Sequence, residues 1–366
     1  MQKKILHYAI AILLFFQTDL QAQKKKSGKN KELPVAGQQW SIEKANQWYA
    51  KHKWMTGADY IPATAINQLE MWQADTYDSA TIDKELGWAE GLGFNTMRVF
   101  LHSVAWATDP EGFKSRLDAY LGIADKHKIK TMFVFFDDVW NKAPRPGKQP
   151  EPKTGIHNSG WMQDPGQPAS SDNTRFPALQ EYVTDVMTRF KNDERVLLWD
   201  LYNEPGNSGK GDSSLPLLVN IFKWARAVNP VQPISVGLWK WELDSLNAYQ
   251  FTHSDIITYH NYEEPDWHKR TIDILKAGGR PLICTEYMAR TRNSRFSNIL
   301  PILKEEKVGA INWGFVEGKT NTIYQWNHPI PDGSQPDEWF HDIFRKDGKP
   351  YRDDEVQLIR KLNGVK

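Results

Sequence analysis

The stretch Val196–Pro205, read as Val-Leu-Leu-Trp-Asp-Leu-Tyr-Asn-Glu-Pro, constrains the fold of this chain more than any other. Five of its first six residues are apolar, and the remaining one is Asp200. The run is short, β-prone and nearly continuous in apolar character, which is how a strand buried on both faces of a parallel sheet reads. Pro205 ends it. Asn203 and Glu204 fall where the strand runs out into a loop. In an α/β barrel that edge carries the catalytic groups, so Glu204 is the first candidate for a catalytic carboxylate.

The same alternation of strand, loop and helix recurs along the chain. Candidate strands are Trp54–Ala58, Thr96–Leu101, Lys130–Phe136, Val196–Tyr202, Pro233–Gly237, Ile256–Tyr259, Pro281–Thr285 and Gly309–Trp313. Amphipathic segments lie between them: Ser79–Gly91 with Ser79 as its capping candidate, Glu111–His127, Thr174–Lys191, Leu215–Val228, Trp267–Ala277 and Ser294–Glu305. Asp353–Leu362 closes the chain. Strands alternating with helices predict a parallel sheet. Eight units fit a (β/α)8 TIM barrel, here a single domain over residues 33–366. An open doubly wound sheet is disfavoured, because no Gly-x-Gly-x-x-Gly turn follows an early strand. Two loops are long for such a fold, Asp137–Asn173 after strand three and Val316–Pro350 after strand eight. Both emerge beside the proposed site, and their aromatic content suits cleft walls.

The N-terminus reads as a targeting segment. Lys3 and Lys4 precede a short apolar core, Ala9–Phe16, and Ala22 is a small residue before a polar run. Residues 1–22 therefore read as a signal peptide, with a core too short for a membrane span. A secreted or periplasmic location follows, with no lipoprotein cysteine near the cut. Residues 23–32 read as a charged, disordered linker. Residues 1–32 carry seven Lys and two acids, so the formal charge of +1 conceals a body of net −4. A mildly acidic body argues against a nucleic-acid partner. The lone Cys284 excludes an intrachain disulfide and Cys-based zinc sites. It reads as buried packing. Sixteen Trp are a pointed excess, since flat aromatic faces suit sugar rings, although most Trp fill cores.

A second strand ends as the first does. Pro281–Tyr287 is an apolar run that delivers Glu286, 82 residues after Glu204. Strands four and seven of a closed eight-stranded barrel lie across the mouth from each other, so the two carboxylates can face one another. Such a pair suits acetal cleavage. One carboxyl, protonated, assists departure of the leaving oxygen, and the other, ionised, attacks the anomeric carbon. A separation of about 5–5.5 Å predicts retention. Like charges that close raise one pKa and titrate as a pair.

Tyr202-Asn203-Glu204-Pro205 resembles the Asn-Glu-Pro signature of the clan A glycoside hydrolases, most like family 5 with its cellulases and mannanases. The resemblance implies Glu204 as acid/base, Glu286 as nucleophile and Asn203 as ligand of the sugar 2-hydroxyl. Phe94–Val99 resembles the segment whose Arg lies near the nucleophile, which implies that role for Arg98. His260-Asn261-Tyr262 resembles the family's His-x-Tyr, implying that His260 and Tyr262 line the site and that Tyr262 bonds the nucleophile. Trp313 resembles the sugar-platform Trp of strand eight. The likeness spans about residues 54–315 and keeps the family's order. It departs after strand three, where the family usually has a His and this chain reads Phe136-Asp137-Asp138. Glu263-Glu264 are also unusually acidic for a sugar groove.

The expected activity is retaining hydrolysis of a β-linked mannan-, glucan- or xylan-type glycan, with carbohydrate as the partner and no cofactor. Two alternatives differ in class. One is a non-catalytic carbohydrate-binding barrel. The other is a metal-dependent hydrolase using Asp137, Asp138 and His260. Trp106, Trp140, Trp161, Trp239 and Trp326 sit at expected loop or strand ends and are candidates for stacking on sugar. The two long loops favour short oligosaccharides. Repulsion from Asp137, Asp138, Glu263 and Glu264 disfavours uronic-acid-rich ones.

Overall fold

The computed structural model describes residues 37–365. The expected signal peptide and charged linker lie outside the described residues. Eight parallel strands run β1 (Thr56–Asp59), β2 (Thr96–Phe100), β3 (Lys130–Asp137), β4 (Val196–Asn203), β5 (Ile234–Ser235), β6 (Ile257–His260), β7 (Leu282–Glu286) and β8 (Gly309–Asn312). Their hydrogen-bonded order is β5-β4-β3-β2-β1-β8-β7-β6. A parallel bridge between Leu238 and Tyr259 joins the two ends and closes the ring. Helices alternate with the strands, and the architecture is a (β/α)8 barrel. The predicted strands all exist, most within two residues of their expected bounds. β5 is shorter than predicted.

Side chains alternate along each strand. Trp199 and Leu201 of β4 face outward with Phe133 and Phe135 of β3, and pack into the layer between sheet and helices. Leu198, Met132, Ile283 and Ile311 fill the floor of the barrel, where they meet Ala45 of the helix Ile42–Ala50. That helix lies ahead of β1 and was not among the expected segments, although Ile42, Ala45, Trp48 and Tyr49 recur at helical spacing. Above the apolar floor, the inward positions turn polar: Arg98 and Asp200 are fully buried inside the ring. The barrel thus carries charge only in its upper layer, next to the mouth.

The helix Ser79–Leu92 is capped by Asp78, whose side chain accepts from the Thr81 backbone N–H, rather than by Ser79. Cys284 is buried in the outer layer, and burial pushes its thiol upward, which agrees with a packing role. Among the described residues no helix is long and apolar enough to cross a membrane.

Candidate active site

β2, β4, β6 and β7 bring the expected polar residues to one place at the barrel mouth. Arg98 is the hub. Its Nε donates to Asp200 at 2.8 Å, its Nη1 to Asp59 at 2.7 Å and to Glu286 Oε1 at 2.9 Å, and its Nη2 to Asn203 Oδ1 at 2.7 Å. Burial alone would lower the Arg98 pKa. Asp200, Asp59 and Glu286 outweigh it and hold the guanidinium well above its usual range. Tyr262 donates its hydroxyl to Glu286 Oε2 at 2.8 Å. Both oxygens of Glu286 are therefore fixed.

Glu204 differs from Glu286 in kind. It stands one residue past β4 with φ of +45°, a left-handed conformation that a non-glycine residue adopts at some cost. His260 Nδ1 lies 2.9 Å from Glu204 Oε1 and 3.4 Å from Glu286 Oε2, between the two carboxyls. Asn207 donates to Glu204 Oε2. Burial pushes Glu204 up to about 7, with Asn207 and Arg98 acting against it. Burial raises Glu286 as well and Glu204 adds to it, while His260, Arg98 and Tyr262 act against them. His260 is pulled down to about 4 by burial and is a neutral imidazole near pH 7. One oxygen of each glutamate and a nitrogen of His260 lie within 4.8 Å of one another.

Asp137 and Asp138 do not join His260 in a cation site. Asp137 is buried beside Asn203 and accepts from Asn203 Nδ2 at 3.0 Å, Trp161 Nε1 at 2.7 Å and the Val139 N–H at 2.9 Å. Asp138 accepts from the Tyr202 hydroxyl, the Gly206 N–H, the Lys210 ammonium and the Ser214 hydroxyl. These acids hold the ends of β3 and β4 together and pin the loop that carries Glu204. Neither acid lines the cleft, and donors meet both oxygens of each, although the charge of Asp138 still helps to raise Glu204. Glu263 lines the cleft but is paired with Arg292 at 2.6 Å.

A cleft of about 1260 Å³ opens over Asn203, Glu204, His260, Tyr262, Glu286 and Trp313. Trp140, Trp161, Trp239 and Trp326, four of the five stacking candidates, line it. Trp106 does not. It lies on the outer side of the barrel, where its Nε1 donates to Asp185 at 2.7 Å. Trp313 stands edge-on to Trp161 at 5.4 Å and to Phe100 at 5.8 Å, which fixes its ring. Sequence reasoning assigned nothing to Asp59, Asn207, Trp241 or Trp267. It noted Asp200 without giving it a role, although an acid inside an apolar strand was a signal for a buried cation.

A model of the cellulase family, glycosyl hydrolase family 5, matches residues 64–318. Solved structures share the fold at low identity. The endo-β-1,4-mannanase from Thermotoga petrophila is 14% identical, with a TM-score of 0.57 over 86% of this chain and 77% of its own. For an exo-β-1,4-mannosidase from Opitutaceae bacterium strain TAV5 the values are 16% and 0.61, over 91% of this chain and 62% of its own. A GH5_18 variant from Streptomyces cattleya in complex with Manβ1-4GlcNAc gives 11% and 0.58, over 86% and 80%. With the barrel closed and its mouth built as above, the chain belongs to glycosyl hydrolase family 5 and is a glycosidase acting on O-glycosyl bonds.

Proposed function

We propose that the protein hydrolyses a β-linked glycan with retention, using Glu286 as nucleophile and Glu204 as acid/base. The observation that carries this reading is the unequal pair at the mouth. Glu286 is held by a guanidinium and a phenol, both of which stabilise its anion. Glu204 is pushed up to about 7 and is bonded by an amide and a neutral imidazole. Carboxyl oxygens within 4.8 Å lie on the short side of the range that separates double displacement from inversion.

In the first step Glu286 attacks the anomeric carbon, and Glu204 gives its proton to the departing oxygen. Ionised Glu204 then takes a proton from water, whose oxygen displaces Glu286 from the glycosyl-enzyme. Asn203, oriented by Arg98 and Asp137, has one amide hydrogen left for the sugar 2-hydroxyl. Trp313 offers a fixed ring face as the platform. His260 and Tyr262 line the same subsite. No step calls on a cofactor. Export follows from the signal-like residues 1–22, which makes an extracellular or periplasmic glycan the natural substrate.

The test uses a 2-deoxy-2-fluoro glycoside with a good leaving group, in β-mannosyl, β-glucosyl and β-xylosyl forms. β-Mannosides come first, because two of the structural neighbours are named as a mannanase and a mannosidase. Mass spectrometry of the digested protein is expected to find the sugar on Glu286. Release of the inverted anomer from a natural substrate, seen by NMR, would overturn the assignment.

A further inference from the structure

We propose that the two long loops close the nucleophile side of the cleft, so that the protein takes a β-glycan by its non-reducing end and shortens it from there. The inference rests on the retaining reading above, which fixes the direction of the substrate. An acid must reach the leaving oxygen. The departing part of the glycan therefore lies on the Glu204 flank, with Asn207, Trp239 and Trp241. The retained sugar is bonded to Glu286, and its non-reducing side points away from Glu204, toward Trp161, Trp326 and His157.

That side is built as a continuous wall. The β3 loop and the β8 loop are joined by their backbones: Asn158 N–H donates to Thr320 O at 2.7 Å and Ile330 N–H to Gly155 O at 3.0 Å. The Asn321 amide donates to Lys153 O at 3.0 Å and to Ile156 O at 3.3 Å. A nitrogen of the His157 ring bonds Tyr324 O at 2.8 Å. Gly155 is required for this approach. A Cβ there would lie 1.8 Å from Ile330 O, and its φ is +64°. The wall continues to the β1 loop, where Asn67 donates to Gly160 O at 2.8 Å, Gln68 to Met162 O at 3.1 Å, and Lys319 Nζ to Glu70 at 2.7 Å.

Aromatic rings carry the wall to the reacting atoms. Trp326, from the tip of the β8 loop, stands edge-on to Tyr262 at 4.8 Å, and Tyr262 holds Glu286. His341 links Tyr262 at 5.8 Å to His157 at 5.5 Å, and His157 meets Trp140 at 5.9 Å. The opposite flank is different. Among the described residues, no hydrogen bond or ring contact joins residues 239–242 to residues 263–274, although both segments line the cleft. The cleft is thus open where the leaving chain must exit and closed where a longer retained chain would have to pass.

The experiment uses β-1,4-linked manno-, gluco- and xylohexaoses tagged at the reducing end, with products sized over time. The expected result, on whichever series is cut, is tagged product shortened from the far end by one fixed step at a time. A bulky acetal across O4 and O6 of the non-reducing hexose should abolish cleavage of the manno and gluco series. Replacing residues 328–336 with a short Gly-Ser turn removes the Ile330 pairing and should bring internal cuts. Tagged products of several lengths at the earliest times with wild type, lost in Glu286→Ala, would overturn the closed end and leave the glycosidase reading standing. No cut in any series together with no fluoro-sugar on Glu286 would overturn that reading, and this inference with it.

Discussion

Arg98 Nη1 donates to Glu286 Oε1 at 2.9 Å and, in the same geometry, to Asp59 Oδ1 at 2.7 Å, so one nitrogen ties the carboxylate of β7 to the end of β1. Two acids on one buried nitrogen oppose each other's ionisation, and Asp200 on Nε adds to that. Burial raises Asp59 well above the usual carboxylate range, and Glu286 and Asp200 add to that. Its Oδ2 is buried without a hydrogen-bond partner.

Burial thus opposes the ionisation of Asp59, and its role is expected to be that of a hydrogen-bond acceptor more than of a charge. Asn has nearly the same shape and still offers an oxygen to Nη1. Asp59→Asn should keep kcat/KM within about threefold, whereas Asp59→Ala, which releases one end of the guanidinium, should lower it at least about tenfold. Steady-state kinetics of the two variants checks this. Equal damage in both would mean that the charge of Asp59 is needed.

A pH profile follows from Glu204. The acid must be protonated in the first step, so kcat/KM should fall as pH rises through about 7. On an aryl glycoside whose leaving group needs no proton, Glu204→Ala should retain formation of the glycosyl-enzyme and lose that alkaline limb. Stability should fall in the same direction as activity, but from a lower pH. A carboxyl raised from 4.5 to about 7 binds more protons folded than unfolded across that window. Ionised Glu204 thus costs stability progressively from pH 4.5 upward, fully so above about pH 7. Glu204→Gln should melt like wild type at pH 4 and be more stable at pH 8, by up to about 3 kcal/mol. Thermal denaturation at the two pH values measures the difference.

The barrel was legible because its strands are short apolar runs whose ends carry function, as in Val196–Asn203 and Leu282–Glu286. The residues that meet at the mouth were legible as far as motif order placed them. What supports them was not. Asp59, Asp137 and Asp200 are 39, 66 and 102 residues from the partners they hold, and no local period encodes such a pairing. Asp137 and Asp138 looked like ligands because adjacent acids at a strand end usually face solvent. Here the loops fold over them and supply a donor to each oxygen. The helix Ile42–Ala50 was passed over although Ile42, Ala45, Trp48 and Tyr49 carry a helical period, of which only Ala45 is fully buried.

Chelation is expected to leave the activity unchanged. Glu204, Glu286 and His260 could in principle close around a cation. Yet Glu286 already has Arg98 on one oxygen and Tyr262 on the other, and the guanidinium repels a second positive charge. Activity measured after exhaustive dialysis against EDTA should match the untreated protein. A loss restored by a divalent ion would turn the site into a metal centre.

Asp137→Asn should be more harmful than its size suggests. Oδ1 of Asp137 accepts from Asn203 and the Val139 N–H, and Oδ2 accepts from Trp161, with Gln68 at 3.4 Å. Both oxygens face donors only. An asparagine must turn its own NH2 toward one of these sets, and either choice puts donor against donor in a site that is 1% exposed. The cost of one such buried mismatch is about 1–3 kcal/mol. If the NH2 faces Trp161, the mismatch loosens the platform side. If it faces Asn203, the amide that is proposed to meet the 2-hydroxyl swings away. In both cases kcat should fall about tenfold or more on a natural glycan. The loss should shrink on a 2-deoxy substrate, which has no hydroxyl for Asn203 to bind. A variant that lost equal activity on both substrates would place the effect in the scaffold and not in the grip on the 2-hydroxyl.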